Sequence, residues 1–120
     1  MLKKDKCILT YGLSPSEIEG MKKLNQKIIE ITPEMCQMKV KDILSGMKLE
    51  TVNNYPIQEK AIIYNDFSQV ETNNLIKRTR DVVKGGVLAV VTPISRNWSV
   101  NYLIEHLVEE REWYLKNRKG

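Results

Sequence analysis

Histidine and cysteine are almost missing from this chain. There is one histidine, His106, and two cysteines, Cys7 and Cys36. A metal centre built from imidazole and thiolate would lack its material, so no metal and no cofactor are expected. Two cysteines without a C-x-x-C spacing make neither a disulfide framework nor a redox motif. Cys7 opens an apolar stretch and reads as a buried filler. Cys36 follows Thr32-Pro33-Glu34-Met35, where a nearby helix start could activate a thiol; burial is the commoner outcome. No apolar run approaches 18 residues, so no membrane-spanning helix is expected. The apolar stretch behind the basic N-terminus is too short for a signal peptide. These absences make the cytoplasm the expected location. No G-x-G-x-x-G and no Walker sequence occurs, which disfavours a nucleotide. Without a G-x-S-x-G elbow, a triad of Ser14, Asp66 and His106 has no support. A phosphoacceptor role for Asp66 fails too, because Tyr11-Gly12 stands where an acidic pair would be needed.

Charge of one sign is not concentrated anywhere large. The net charge is +4, and each half of the chain contributes +2. Part of the excess lies at the two ends, in Lys3, Lys4 and Lys6 and in Lys116, Arg118 and Lys119. Helix surfaces are commonly this basic, so the charge does not favour nucleic acid as a partner.

The chain does hold a pattern that occurs twice. Ile8-Leu9-Thr10-Tyr11, followed by Ser14 and Glu17, returns as Ile62-Ile63-Tyr64, Ser68 and Glu71. Ile31-Thr32-Pro33 with Val40, Ile43 and Leu44 returns as Val91-Thr92-Pro93 with Val100, Leu103 and Ile104. The Thr-Pro pairs are 60 positions apart in a chain of 120 residues. A single domain over 1–120 is expected at this length, with repeat one over about 6–47, a connector over 48–59 and repeat two over about 60–116.

Short apolar runs at 6–11, 27–31, 60–65 and 87–91 read as strands. The last is wholly apolar, as for a strand covered on both faces. Ser14-Pro15-Ser16-Glu17 is a capping box with proline at the first helical position, and Ser68 with Glu71 forms a second box. Ile18, Met21 and Leu24 give the first helix its apolar face, and Asn25 closes it. Thr72, Leu75, Ile76, Thr79, Val82 and Val83 give the third helix its stripe, with Gly85-Gly86 as its left-handed stop. Val40, Ile43, Leu44 and Met47 mark a second helix starting near Met38. Val100, Leu103, Ile104, Leu107, Val108, Tyr114 and Leu115 mark the inward side of a fourth, from Ser99 to about Lys116.

Strands alternating with helices imply an α/β fold with parallel pairs and right-handed crossovers. A mostly parallel four-stranded sheet of order 2-1-3-4 is favoured, with helices on both faces. An order 1-2-3-4, and an antiparallel join between the repeats, stay open. In a doubly wound sheet, ligands sit beyond the carboxyl ends of the strands at the switch point. Gly12, Ser14, Asn65, Asp66 and Ser68 are the candidate ligand residues there, for a small anion or a phosphorylated metabolite at two helix N-termini. The competing reading is that every helix needs a cap. A second candidate surface joins Arg96, Asn97 and Trp98, in one Thr-Pro loop, with Tyr102, His106 and Trp113 along the fourth helix. Trp and Arg are the residue types that anchor interfaces; the plain alternative is that both tryptophans pack on the core.

Val91-Thr92-Pro93-Ile94-Ser95-Arg96-Asn97-Trp98-Ser99-Val100, running on through Leu103 to Glu109-Glu110-Arg111-Glu112, resembles a small bacterial family described only as a domain of unknown function, family 3783. The blocks Leu9…Tyr11-Gly12-Leu13…Glu17 and Tyr64…Phe67-Ser68…Glu71 are similar to it as well. The resemblance implies a bacterial cytoplasmic protein and brings no catalytic residue. The sequence therefore favours a non-enzymatic interaction or self-associating module, with a protein partner or a homodimer, over an anion-binding protein or enzyme.

Overall fold

A computed structural model describes residues 6–117. The contacts divide the chain into two compact units, Met1–Thr32 with Gln58–Val91, and Pro33–Ile57 with Thr92–Gly120. Neither unit is one half of the chain. Each takes one segment from the first half and the corresponding segment from the second.

The first unit is a sheet with two helices. Its strands are β1 (Cys7–Tyr11), β2 (Ile28–Ile31), β3 (Ala61–Asn65) and β4 (Val87–Val90), in the order β2-β1-β3-β4. β1 pairs parallel with β2 and β3 parallel with β4, whereas β1 and β3 are antiparallel, Leu9 opposite Ile63. Helix α1 (Pro15–Lys22) crosses from β1 to β2, and α3 (Gln69–Val82) from β3 to β4. The antiparallel join inverts the second crossover relative to the first. Two right-handed crossovers then bring both helices to one face, where Met21, Leu24, Leu75 and Val83 pack with Ile8, Ile62 and Tyr64. The opposite face is buried at Cys7, Leu9, Tyr11, Ala61 and Ile63. The helices approach closely, since a Cβ on Gly20 would strike Val82.

Local chemistry explains these elements. Ser14 Oγ accepts from the Glu17 N–H while Glu17 Oε1 accepts from the Ser14 N–H at 2.8 Å. Ser68 and Glu71 make the same reciprocal pair. α1 ends before Asn25, which adopts φ +62. α3 ends differently from expectation: Val83 is extended, and the left-handed Gly85 and Gly86 lie beyond it. Gly86 is needed for a close approach, because a Cβ there would meet the Lys60 backbone. β4 also departs from its apolar sequence. It is the edge strand of the sheet, with Val87 buried and Val90 exposed.

The second unit contains α2 (Val40–Leu44), the connector and α4 (Val100–Asn117). Pro33 opens a 3-10 turn, Pro33–Met35, and a matching turn, Ser95–Asn97, follows Pro93. Thr92 and Ser95 close the latter by exchanging bonds, each backbone N–H donating 2.9 Å to the other's hydroxyl. α2 and α4 begin side by side. Lys39 bridges Ser99, the Val40 N–H donates to the Trp98 carbonyl, and the Val100 N–H donates to the Met38 carbonyl. Val40, Ile43, Val100, Leu103 and Ile104 are buried there, together with Met35, Cys36 and Met38. Met47, Tyr114 and Leu115, expected to face inward, are exposed. α2 stops at Leu44, before Met47, and α4 contributes no buried residue beyond Ile104. The connector is tied down by Thr51 N–H to the Glu34 carbonyl and Asn53 Nδ2 to the Pro33 carbonyl.

Candidate functional site

The five candidate ligand residues divide between opposite ends of the sheet. Antiparallel pairing sets Tyr11 across from Ala61 and Cys7 across from Asn65. Gly12 therefore lies against Glu59 and Lys60 at the start of β3, where its φ of +78 and the Glu59 carbonyl leave no room for a Cβ. Asp66 and Ser68 share a hollow of about 490 Å3 with Lys6, ahead of β1. Ser14 and Ser68 do not share a crevice, and the switch point that would unite them requires parallel central strands.

Each helix N-terminus already holds an anion of its own. Glu17 accepts at 2.7 Å from Lys60 Nζ, and Glu71 at 2.8 Å from Lys6 Nζ. Burial acts to raise the Glu17 carboxyl. The Lys60 ammonium and the Ser14 N–H outweigh it and hold the group below the usual carboxylate range. The Lys6 hydrogen bond, then the Ser68 N–H, lower Glu71 likewise. In each capping box the amides of the cap residue and of the glutamate are bonded by the box's own side chains, and the glutamate sets its own negative charge at the positive end of the helix dipole.

The lysines form a pair that the sequence reading missed. Lys6 and Lys60 are 54 positions apart, as are Glu17 and Glu71. The lysine ahead of each central strand thus grips the glutamate capping the other half's helix. The matched offset was the available signal. It was hidden because lysines near a strand start look like ordinary solvated charge.

A second hollow, of about 370 Å3, lies between α3 and the edge strand, lined by Asp66, Phe67, Gln69, Asn73, Ile76 and Val90 among others. At its base Tyr64 is buried and donates to Thr79 Oγ1 at 2.8 Å; burial raises its phenol. A phenol held this way is a structural hydrogen bond inside the core. Both cysteines are buried, and no group of three His, Cys, Asp or Glu among the described residues could hold a metal ion. No helix among them is long and apolar enough to cross a membrane.

The interface candidates fall in the second unit and split into two groups. Trp98, Tyr102 and His106 come together. The Trp98 ring stands edge-on to Tyr102 at 4.8 Å and to His106 at 5.1 Å, and Tyr102 stacks on His106 at 6.2 Å. Trp98 is half-buried by these contacts, and His106 Nε2 reaches Glu110 at 3.3 Å. Arg96 and Asn97 are exposed on the turn before, with Asn97 Nδ2 bonded to the Pro93 carbonyl. Trp113 stands apart from them, two turns further along α4. It is 66% exposed, beside Tyr114 at 62% and Leu115 at 50%. The plain reading holds in part for Trp98, which packs on α4, and does not hold for Trp113.

Fold and surface together define a small α/β protein whose two β-α-β crossovers meet through antiparallel central strands. Its chemistry-bearing groups are engaged in caps and ion pairs, and its most apolar exposed helix surface is the end of α4. Residues 60–114 match the family described as Domain of unknown function (DUF3783). The matched segment spans β3, α3, β4, the second 3-10 turn and most of α4, including Trp113. The resemblance is thereby shown for the second half of the chain; the first-half block Leu9–Glu17 lies outside the match. No curated protein and no solved structure is matched.

Proposed function

We propose that the protein is a non-enzymatic interaction module whose working surface is the end of α4. The observation that carries this reading is the exposure of Trp113, Tyr114 and Leu115 on a helical segment that adds nothing to the core. Three consecutive large apolar side chains cover more than half of a helix circumference, so no orientation of an isolated helix hides them. Aromatic side chains on a rigid element are what interfaces use as anchors. The connector also exposes Val52 and Tyr55, on irregular backbone that provides no such platform. The cluster Trp98–Tyr102–His106 fixes the base of the same helix and leaves Arg96 and Asn97 at its rim.

The two halves are further read as a duplicated unit. The shared 54-residue offset of the capping boxes and lysines and the 60-residue offset of the Thr-Pro turns support it, as does a family match the size of one half. Duplication accounts for the scaffold and leaves the function to what differs between the halves.

The test is a comparison of wild type with Trp113→Ser/Tyr114→Ser/Leu115→Ser, both full length and immobilised. The variant keeps its circular dichroism and melting temperature and loses the proteins, its own chain included, that wild type retains. Identical retained sets would contradict the reading.

A further inference from the structure

Each unit is built around a residue that pairs with its own counterpart. In the first unit the capping boxes and lysines set an offset of 54, so Leu9 corresponds to Ile63, and these two oppose each other in the β1–β3 ladder. The pairs beside them are reciprocal: Ile8 opposes Tyr64 and Thr10 opposes Ile62. Lys6 to Glu71 and Lys60 to Glu17 are reciprocal in the same way. In the second unit the offset is 60, so Lys39 corresponds to Ser99, and these two form the bridge. Its neighbours are again reciprocal, Val40 N–H to the Trp98 carbonyl and Val100 N–H to the Met38 carbonyl. Reciprocal pairing of this kind is the pattern of an isologous dimer interface, which closes at two. Here it lies within one chain.

One half alone would leave β1 or β3 as a bare edge with unpaired backbone groups, so each half needs another. The second half of another copy offers the same chemistry as its own. The join between the halves is a light one. Residues 48–59 hold no helix, no strand and no buried residue. Within them, the Thr51 N–H and Asn53 Nδ2 bond back to the Glu34 and Pro33 carbonyls of the first half. We propose that the half-to-half surface also fits a second copy of this chain, and that two chains exchange second halves across the connector. In the closed dimer β1 of each copy pairs with β3 of the other, and the start of α2 with the start of the other copy's α4. The bonds already made within one chain are reused, and the surface is separate from the end of α4. A flexible connector holds a chain's own second half at an effective concentration of about millimolar. Exchange therefore requires folding at a protein concentration near that value, and mixing chains that have already folded does not produce it.

Two full-length chains test this, one carrying Leu9→Cys and the other Ile63→Cys, each with Cys7→Ala/Cys36→Ala to remove the native thiols. Directly opposed residues of antiparallel strands lie within the Cα range of a disulfide. A crosslink between the two chains therefore requires position 9 of one to face position 63 of the other. Refolding them together from denaturant at 500 µM, followed by oxidation, gives this heterodimer, identified by mass. Its fraction is at least about tenfold lower after refolding at 5 µM, because pairing between chains then loses to pairing within one. Mixing the chains after separate refolding at 5 µM gives none. A second measurement uses no substitution: affinity-tagged wild type retains untagged wild type after refolding together at 500 µM, and the retained pair keeps the circular dichroism of the single chain. Absence of both crosslink and retention overturns the proposal. Retention that is equal when folded chains are simply mixed overturns it too, since that is association through an outer surface. Either failure leaves the reading of the end of α4 standing, because that reading is tested at Trp113, Tyr114 and Leu115.

Discussion

The two halves start alike and end differently. α2 and α4 begin with the same buried valine, Val40 and Val100, and exchange equivalent backbone bonds at their first turns. α2 then stops after five residues, with Gly46 at φ +96, while α4 runs for eighteen. The shared parts are those a sheet and its crossovers need: caps, central strands and cross-gripping lysines. The added turns of α4 carry Trp113, Tyr114 and Leu115 and no core residue. What the halves have in common is the scaffold, and what only the second half has is the surface proposed for an outside contact.

The sharpest way to break the comparison is at its centre. Leu9 and Ile63 oppose each other in β1 and β3, both buried. Leu9→Ala and Ile63→Ala should each cost about 3 kcal/mol in denaturant unfolding; costs differing by more than about twofold would deny the halves equal weight. Next come the residues that follow each central strand. Gly12 and Asp66 both adopt positive φ, but only Gly12 faces a carbonyl where its Cβ would be. Gly12→Asp should cost about 2–3 kcal/mol. Asp66→Gly should cost less than Gly12→Asp, because glycine takes that backbone freely.

The capping carboxylates give a pH signature. Glu17 and Glu71 are lowered in the folded protein, so the stability they add is present above the ordinary carboxylate pKa and is lost as pH falls through the folded values. Melting temperature should drop between about pH 5 and pH 3, and the drop should flatten in Glu17→Gln/Glu71→Gln. At neutral pH, Glu17→Gln should cost about 1 kcal/mol. The smallest effect is at Trp113. Trp113→Ala should change unfolding by less than about 0.5 kcal/mol, against about 2 kcal/mol for Val100→Ala at the buried start of the same helix.

Much of the scaffold was legible in the residues. The capping boxes, both Thr-Pro turns and the strand order followed from spacing, because caps and short apolar runs are local signals. The sense of the β1–β3 join was not legible. Parallel and antiparallel joins bury the same residues of Ile8-Leu9-Thr10 and Ile62-Ile63-Tyr64, so the hydrophobic pattern does not separate them. That one sign moved Gly12 and Ser14 away from Asn65, Asp66 and Ser68 and dissolved the proposed crevice. Tyr114 and Leu115 were misplaced for a related reason. Helical periodicity continues past the point where the core ends, and nothing in the spacing marks that point.

Hydrogen exchange of residues 109–117, followed as protein concentration rises from 5 to 500 µM, tests the central claim most directly. None of these residues is fully buried within one chain, whereas Val100, Leu103 and Ile104 at the start of α4 are. Protection of 109–117 that grows with concentration, with the buried turn at Val100–Ile104 unchanged, is the result expected. Protection of 109–117 that is the same at every concentration would contradict self-association through the end of α4.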